Sequence, residues 1–110
     1  GFERYYNKIY EGVTSRFANS PVTIHRMSTA KWFDTFGEKL DWIYVDASHA
    51  YEGCLHDLTR AVGMIKPGGK LFGDDYGPKK LGVKNAVDQF IKNTGYTLNN
   101  FHDDQFEVQL

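Results

Sequence analysis

Apolar residues at Phe2, Tyr5, Tyr6, Ile9, Tyr10, Val13 and Phe17 recur at three- and four-residue spacing. That pattern predicts an amphipathic helix over residues 2–17 with one stripe turned to a core. Asn19-Ser20-Pro21 breaks it. Residues 22–27, rich in β-branched side chains, predict a first strand. Ser28 or Thr29 can cap a helix whose apolar positions are Trp32, Phe33, Phe36 and Leu40, and Gly37 keeps that helix short. Trp42-Ile43-Tyr44-Val45 is too brief for a helix and predicts a second strand, buried on both faces in the middle of a parallel sheet.

Helical spacing returns from residue 50 to 65, with Tyr51, Cys54, Leu55, Leu58, Val62 and Ile65 on the inward stripe. Lys66-Pro67-Gly68-Gly69 stops that helix, because Pro cannot continue it and Gly accepts a left-handed conformation. Residues 70–73 predict a third strand and 77–82 a loop. Val83, Ala86, Val87, Phe90 and Ile91 mark a further helix closed by Asn93-Thr94-Gly95. Residues 96–101 and 106–110, joined by a turn at Asp103-Asp104, predict a terminal antiparallel hairpin. Helices alternating with strands argue for an α/β fold with a mostly parallel sheet flanked by helices. Residues 1–110 read as one domain.

Composition narrows the function classes. A net charge of −1 leaves no basic footprint for nucleic acid. The single cysteine, Cys54, rules out an internal disulfide and fits a reducing compartment. No apolar run approaches the roughly 20 residues that span a bilayer, so a cytoplasmic location without membrane contact is expected.

The chemistry-bearing residues gather after two strands. Asp46, Ser48 and His49 follow the second; Asp74 and Asp75 follow the third. Ligands in open α/β sheets bind outside the carboxyl ends of the strands. Asp46, Asp74 and Asp75 could supply the oxygen donors that Mg²⁺ prefers, or Asp46 and Asp74 could simply cap the elements after their strands. His49 could act as a general base, since imidazole titrates near neutrality, or be a hydrogen-bonded structural residue. His25, His56 and His102 have no metal-ligand partner at useful spacing. Lys66-Pro67-Gly68-Gly69-Lys70 follows a helix and precedes a strand, the reverse of a phosphate cradle.

These stretches carry a resemblance. Val45-Asp46-Ala47-Ser48-His49-Ala50-Tyr51-Glu52-Gly53, Ile65-Lys66-Pro67-Gly68-Gly69, Gly73-Asp74-Asp75-Tyr76 and Gly82-Val83-Lys84-Asn85-Ala86-Val87-Asp88-Gln89-Phe90 occur in that order. They resemble the C-terminal half of class I S-adenosylmethionine-dependent methyltransferases, the group similar to macrocin and novobiocin O-methyltransferases. The resemblance implies a Rossmann-like fold and S-adenosylmethionine as cofactor. It implies methyl transfer to a hydroxyl of a small-molecule acceptor, assisted by Mg²⁺ on Asp46, Asp74 and Asp75. Asp46 and His49 take the catalytic roles, and Ser28, Asp46, Ala47 and His49 line the cofactor site. Where some relatives carry a further Asp as base, this chain has Ser48, which leaves His49 as the substitute.

The sequence has no G-x-G turn, and its one adjacent glycine pair, Gly68-Gly69, is a helix stop. It therefore reads as the family without its first two strands. Such a chain is expected to be inactive alone and to form a sheet of about five strands in the order 1-2-3-5-4, with strand 5 antiparallel. The lost neighbours would leave an apolar edge or face, which predicts a homodimer. The reading from a different class is a non-enzymatic α/β module that keeps the fold for binding or assembly.

Overall fold

Among the described residues, four α-helices and four strands follow one another as α1 (Phe2–Arg16), α2 (Thr29–Thr35), β1 (Leu40–Val45), α3 (Tyr51–Val62), β2 (Ile65–Gly73), α4 (Leu81–Thr94), β3 (Thr97–Asn100) and β4 (Phe106–Gln109), with a short 3-10 turn at His102–Asp104 between the last two strands. The computed structural model describes residues 2–100 and 102–110, so Phe101, expected at the end of the hairpin's first strand, lies outside the described residues. The sheet has the order β1-β2-β4-β3. β1 and β2 are parallel, while β4 runs antiparallel to both β2 and β3. The mixed α/β class and the antiparallel terminal strand are as the sequence predicted.

The strand expected at residues 22–27 does not form. Its residues instead lie along α1, where Tyr6, Ile9, Tyr10 and Val13 make a shallow groove with Ile24, His25 and Arg26. The Arg26 guanidinium sits 5.2 Å above the Tyr10 ring. A β-prone run becomes a strand only where a sheet edge is presented to it. The sheet is therefore one strand smaller than expected, with the remaining order unchanged.

β2 also starts earlier than the pattern implied. The Lys66-Pro67-Gly68-Gly69 stretch is inside the strand as an irregularity, where Leu40–Trp42 on β1 faces Ile65–Lys70 on β2. Pro67 withholds a donor and Gly68 adopts φ 80, so the ladder opens locally and re-forms at Lys70.

The core lies between the sheet and the pair α3 and α4. Leu58, Ala61, Val87, Ala86 and Phe90 from the helices meet Leu71, Phe106 and Val108 from the strands. Strand alternation sends Leu71 and Val108 inward and leaves Phe72 and Gln109 on the other side. α4 ends cleanly: Gly95 takes φ 75 and donates its N–H to the Ile91 carbonyl at 2.8 Å.

The opposite side of the sheet is open. Trp42 is 59% and Tyr44 44% exposed, so β1 is an edge strand covered on one face, not the doubly buried strand the sequence suggested. Its T-shaped contact with Phe72, at 6.1 Å, shields only part of Trp42. On the same side Lys70 pairs with Glu107 at 2.6 Å, and Asn99 Nδ2 donates to Glu107 at 3.0 Å. α1 likewise buries none of its residues, leaving Phe2, Tyr5, Tyr6 and Ile9 on an exposed stripe. No helix among the described residues is long and apolar enough to cross a membrane.

Leu58 is fully buried, so Leu58→Ala is expected to cost about 2–5 kcal/mol. Urea denaturation checks this, and a loss under about 1 kcal/mol would mean that α3 is not part of the core.

A pH dependence follows from Glu107. Hydrogen bonds from Lys70 and then Asn99 lower its pKa, against the opposing effect of burial. A depressed carboxyl pKa stabilises the fold above its unfolded value, and that stabilisation fades as pH falls through the folded value. Between about pH 5 and 3 the wild type should lose more stability than Glu107→Gln. Parallel loss in both proteins, read by denaturant midpoints, would contradict this.

Candidate functional site

The last paired residues of β1 and β2 are Val45 and Gly73, which face each other. The two strands therefore end level, and Asp46 and Asp74 leave the sheet side by side. Gly73 is required by space. A Cβ there would run into the Phe106 ring and come 2.8 Å from the Val45 carbonyl oxygen.

After β2 the chain turns sharply. Asp75 adopts φ 68, a conformation that Asp tolerates better than most residues. Its amide N–H donates to Asp74 Oδ1 at 2.8 Å. Tyr76 then anchors the turn twice. Its N–H donates to the Asp104 carbonyl at 2.8 Å, and its hydroxyl donates to Asp88 on α4 at 2.5 Å. Lys84 completes this anchor, 2.9 Å from Asp88 and 5.3 Å above the Tyr76 ring. The hydrogen bond to Asp88, with burial and the Asp88 charge, raises the Tyr76 pKa. Burial opposes ionisation of Asp88, but the hydrogen bonds from Tyr76 and Lys84 outweigh it and lower its pKa.

The turn after β1 is clamped from two sides. Ser48 Oγ accepts the Ala50 N–H at 3.2 Å, opening α3. A Cβ on Gly53 would collide with the Ser48 side chain. On the other side the first turn of α4 presses on the backbone, so that a Cβ on Gly82 would collide with the His49 carbonyl oxygen and lie 3.2 Å from the Tyr51 nitrogen. Two glycines on two helices thus fix the loop that carries His49.

The result is a cluster. His49 Nε2 lies 2.9 Å from Asp75 Oδ2. One donor atom each from Asp46, His49 and Asp75 falls within 4.8 Å of the others. These residues, with Ala47, Ser48, Asp74 and the buried Cys54, line a crevice of about 10 Å³, roughly room for one water or one ion. Burial, then the Asp57 charge, pushes the Cys54 thiol up to about 11, which makes it an inert neighbour.

Of the expected metal set, Asp46 and Asp75 are in this cluster. Asp74 lines the crevice while its Oδ1 holds the Asp75 amide, the local turn role that was its alternative. Asp46 makes no cap to α3, whose N-cap position, Ala50, has no side-chain cap. The expected cofactor residues divide. Asp46 and Ala47 line a second crevice, about 330 Å³, together with Thr29, Trp32, Phe33, Tyr44 and Asp57. Ser28 instead caps α2, accepting the Lys31 N–H at 3.2 Å, and His49 faces the smaller crevice.

Two residues of the site went unnoticed in the sequence. Tyr44 has its pKa raised by burial, and next by the carboxylates of Asp74 and Asp46. Period-two alternation from Asp46 could have found it. Asp57 is only 3% exposed and accepts the Thr29 hydroxyl at 2.7 Å, joining α3 to the start of α2. No local pattern marks that bond, because its partners are far apart in sequence.

The family model "Methyltransferase domain" matches residues 2–76, more than half of the chain. The chain belongs to this methyltransferase family. No curated protein matches it significantly. Solved structures with the same fold include a protein assigned as an rRNA methylase from Clostridium thermocellum, with a TM-score of 0.67 and 14% identity over 91% of this chain. Another, assigned as a caffeoyl-CoA O-methyltransferase from Staphylococcus aureus, has a TM-score of 0.66 and 17% identity over 90%. The O-methyltransferase NovP has a TM-score of 0.61 and 22% identity over 90%. The methyltransferase chain spans 62%, 56% and 43% of these three proteins, respectively.

Gly82→Ala is expected to destabilise the methyltransferase chain by about 1–3 kcal/mol and to shift the imidazole NMR signals of His49. Gly12→Ala, on open helix surface with nothing within 4 Å, is the control and should be neutral or stabilising. Unchanged His49 signals in Gly82→Ala would show that α4 does not position the loop.

Proposed function

We propose that this chain carries the acceptor side of an S-adenosylmethionine-dependent methyltransferase that methylates a hydroxyl group of a small molecule. The observation that carries the reading is the convergence of Asp46, His49 and Asp75 beyond two level parallel strands, in a chain of the methyltransferase family. The folds shared with NovP and a protein assigned as a caffeoyl-CoA O-methyltransferase support oxygen as the acceptor atom.

The crevice between α2 and the end of β1 fits the adenosine end of the cofactor. Trp32 and Phe33 supply apolar and aromatic wall, and Asp46 a carboxylate at the rim able to accept hydrogen bonds. When bound, S-adenosylmethionine supplies the methyl group. The residues of the smaller crevice fit a divalent cation: two carboxylates and an imidazole face space for one ion. Asp46, Asp75 and either His49 or Asp74 would hold it, and a bound cation lowers the pKa of an acceptor hydroxyl beside it.

This chain's own side chains set the rest. The left-handed turn and the Asp74 side chain hold the Asp75 carboxylate toward His49. Tyr44 borders the acids on the open face, where its ring can shield an acceptor from water. His49 can serve the reaction in either of two ways, as a base for the acceptor proton or as a nitrogen donor to the cation.

One observation favours the second reading, an assembly module. α1 and the outer side of the sheet both keep large apolar side chains exposed. In that reading the chain self-associates through these surfaces and needs no cofactor.

Calorimetric titration with S-adenosylhomocysteine separates the two. The transfer reading expects saturable one-site binding, weakened roughly tenfold or more by Trp32→Ala, equivalent to about 1.4 kcal/mol. No heat from a folded sample that sediments as a dimer would replace it with the assembly reading.

A further inference from the structure

We infer that Asp57 is a specificity-determining residue of the crevice between α2 and β1, where its carboxylate accepts a hydrogen bond from the exocyclic amino group of the bound purine. The inference rests on the methyl-transfer reading of that crevice and adds what the crevice discriminates.

Burial singles the residue out. Asp57 and Glu107, 3% and 8% exposed, are the two buried charged side chains among the described residues. Glu107 has its donors, Lys70 at 2.6 Å and Asn99 at 3.0 Å. Asp57 has one, the Thr29 hydroxyl at 2.7 Å on Oδ1. The nearest approach of His56, 3.6 Å from Nδ1, is to the same oxygen and too long for a hydrogen bond.

No hydrogen bond reaches Asp57 Oδ2 among the described residues. A carboxylate oxygen removed from water without a donor is costly. Every fully buried side-chain polar atom among the described residues has a partner, so Oδ2 keeps an opening to solvent. Asp57 lines the crevice of about 330 Å³, and there a ligand's N–H can meet it.

The surroundings define that ligand edge. Trp32, Phe33, Ile43 and Val45 make an apolar, partly aromatic wall suited to a flat heteroaromatic ring. Trp32 stacks on Phe36 at 4.7 Å, and the Arg60 guanidinium lies 5.6 Å from the Phe33 ring centre, so both rings are held in place. An ionised carboxylate accepts and cannot donate, which favours an amino group over a carbonyl oxygen at the facing ring position. Asp46, the other carboxylate of the crevice besides Asp57, is exposed, where water weakens such a choice.

Thr29 fixes the orientation by occupying Oδ1 and leaving Oδ2 as the acceptor. α2 is braced again towards its other end, where Asp34 and Arg60 lie 2.8 Å apart. An isosteric change at Asp57 therefore alters the acceptor without releasing the wall.

The test compares S-adenosylhomocysteine with S-inosylhomocysteine, which carries a carbonyl oxygen in place of the amino group, by calorimetric titration of the full chain. The wild type should bind the amino form at least about tenfold more tightly, because a site built around a hydrogen bond rejects the analogue that cannot make it. The Asp57→Asn amide can meet either edge and Asp57→Ala meets neither, so in both the ratio should fall to within about threefold. Trp32→Ala removes a wall common to both ligands and should weaken both while preserving the ratio.

Equal affinity of the wild type for the two ligands would overturn the inference and leave the methyl-transfer reading standing. So would a tenfold preference that persists in either folded Asp57 variant, which would reduce Asp57 to a clamp on Thr29. Failure of folded wild type to bind either ligand removes the methyl-transfer reading and the inference with it.

Discussion

The site depends on one close approach, the meeting of Val45 and Gly73 at the ends of two parallel strands. Gly73 leaves the space that the Phe106 ring fills. Because β4 supplies that ring from within the sheet, the terminal hairpin and the functional loops are parts of one packing arrangement. A side chain at residue 73 would push β1, β2 and β4 apart where the acids emerge. The level ending of β1 and β2 converts two short sequence motifs into a single cluster.

The two loops are then held by different forces. The loop bearing His49 is confined by steric contact with Gly53 and Gly82. The loop bearing Asp75 is held by polar bonds, through Asp74, Asp104 and the Tyr76–Asp88–Lys84 group. Steric confinement is insensitive to salt and pH, whereas the polar anchor depends on the charge of Asp88. α4 serves both loops, with Gly82 in its first turn and Asp88 further along. This gives a physical reason for the long motif from Gly82 to Phe90: one face of the helix builds the core, and its start and rim hold the site.

The cluster side of the molecule is well packed, but the outer side of the sheet and α1 are not. Trp42, Tyr44, Phe2 and Tyr5 are large apolar side chains left exposed on these two surfaces. These four side chains sit on α1 and β1, both of which precede β2 in the chain. The last 46 residues, from Ile65 to Leu110, supply most of the packed sheet, and α3 and α4 its cover.

Much of this was legible in the sequence. Short apolar runs and period-3.6 stripes located the strands and helices that pack, except that Ile65–Gly69, which reads as a helix end and turn, belongs to β2, and the ordered motifs resemble the methyltransferase family to which the chain belongs. Asp46, His49 and Asp75 were named as chemistry-bearing from their position after strands, a rule of topology rather than of local structure. What the pattern could not decide was anything that depends on a neighbour distant in the chain. The run at 22–27 has strand propensity, yet it lies on α1 because no sheet edge meets it. The stripe of α1 has helical spacing, yet spacing cannot say whether a core stands opposite it. In the sequence Asp74 reads as a metal ligand or a turn residue and His49 as a base or a structural residue; the left-handed turn at Asp75, its bond to Asp74 and its contact with His49 exist only in the fold. Local propensity is written residue by residue, whereas partners and donor geometry exist only once the strands have paired.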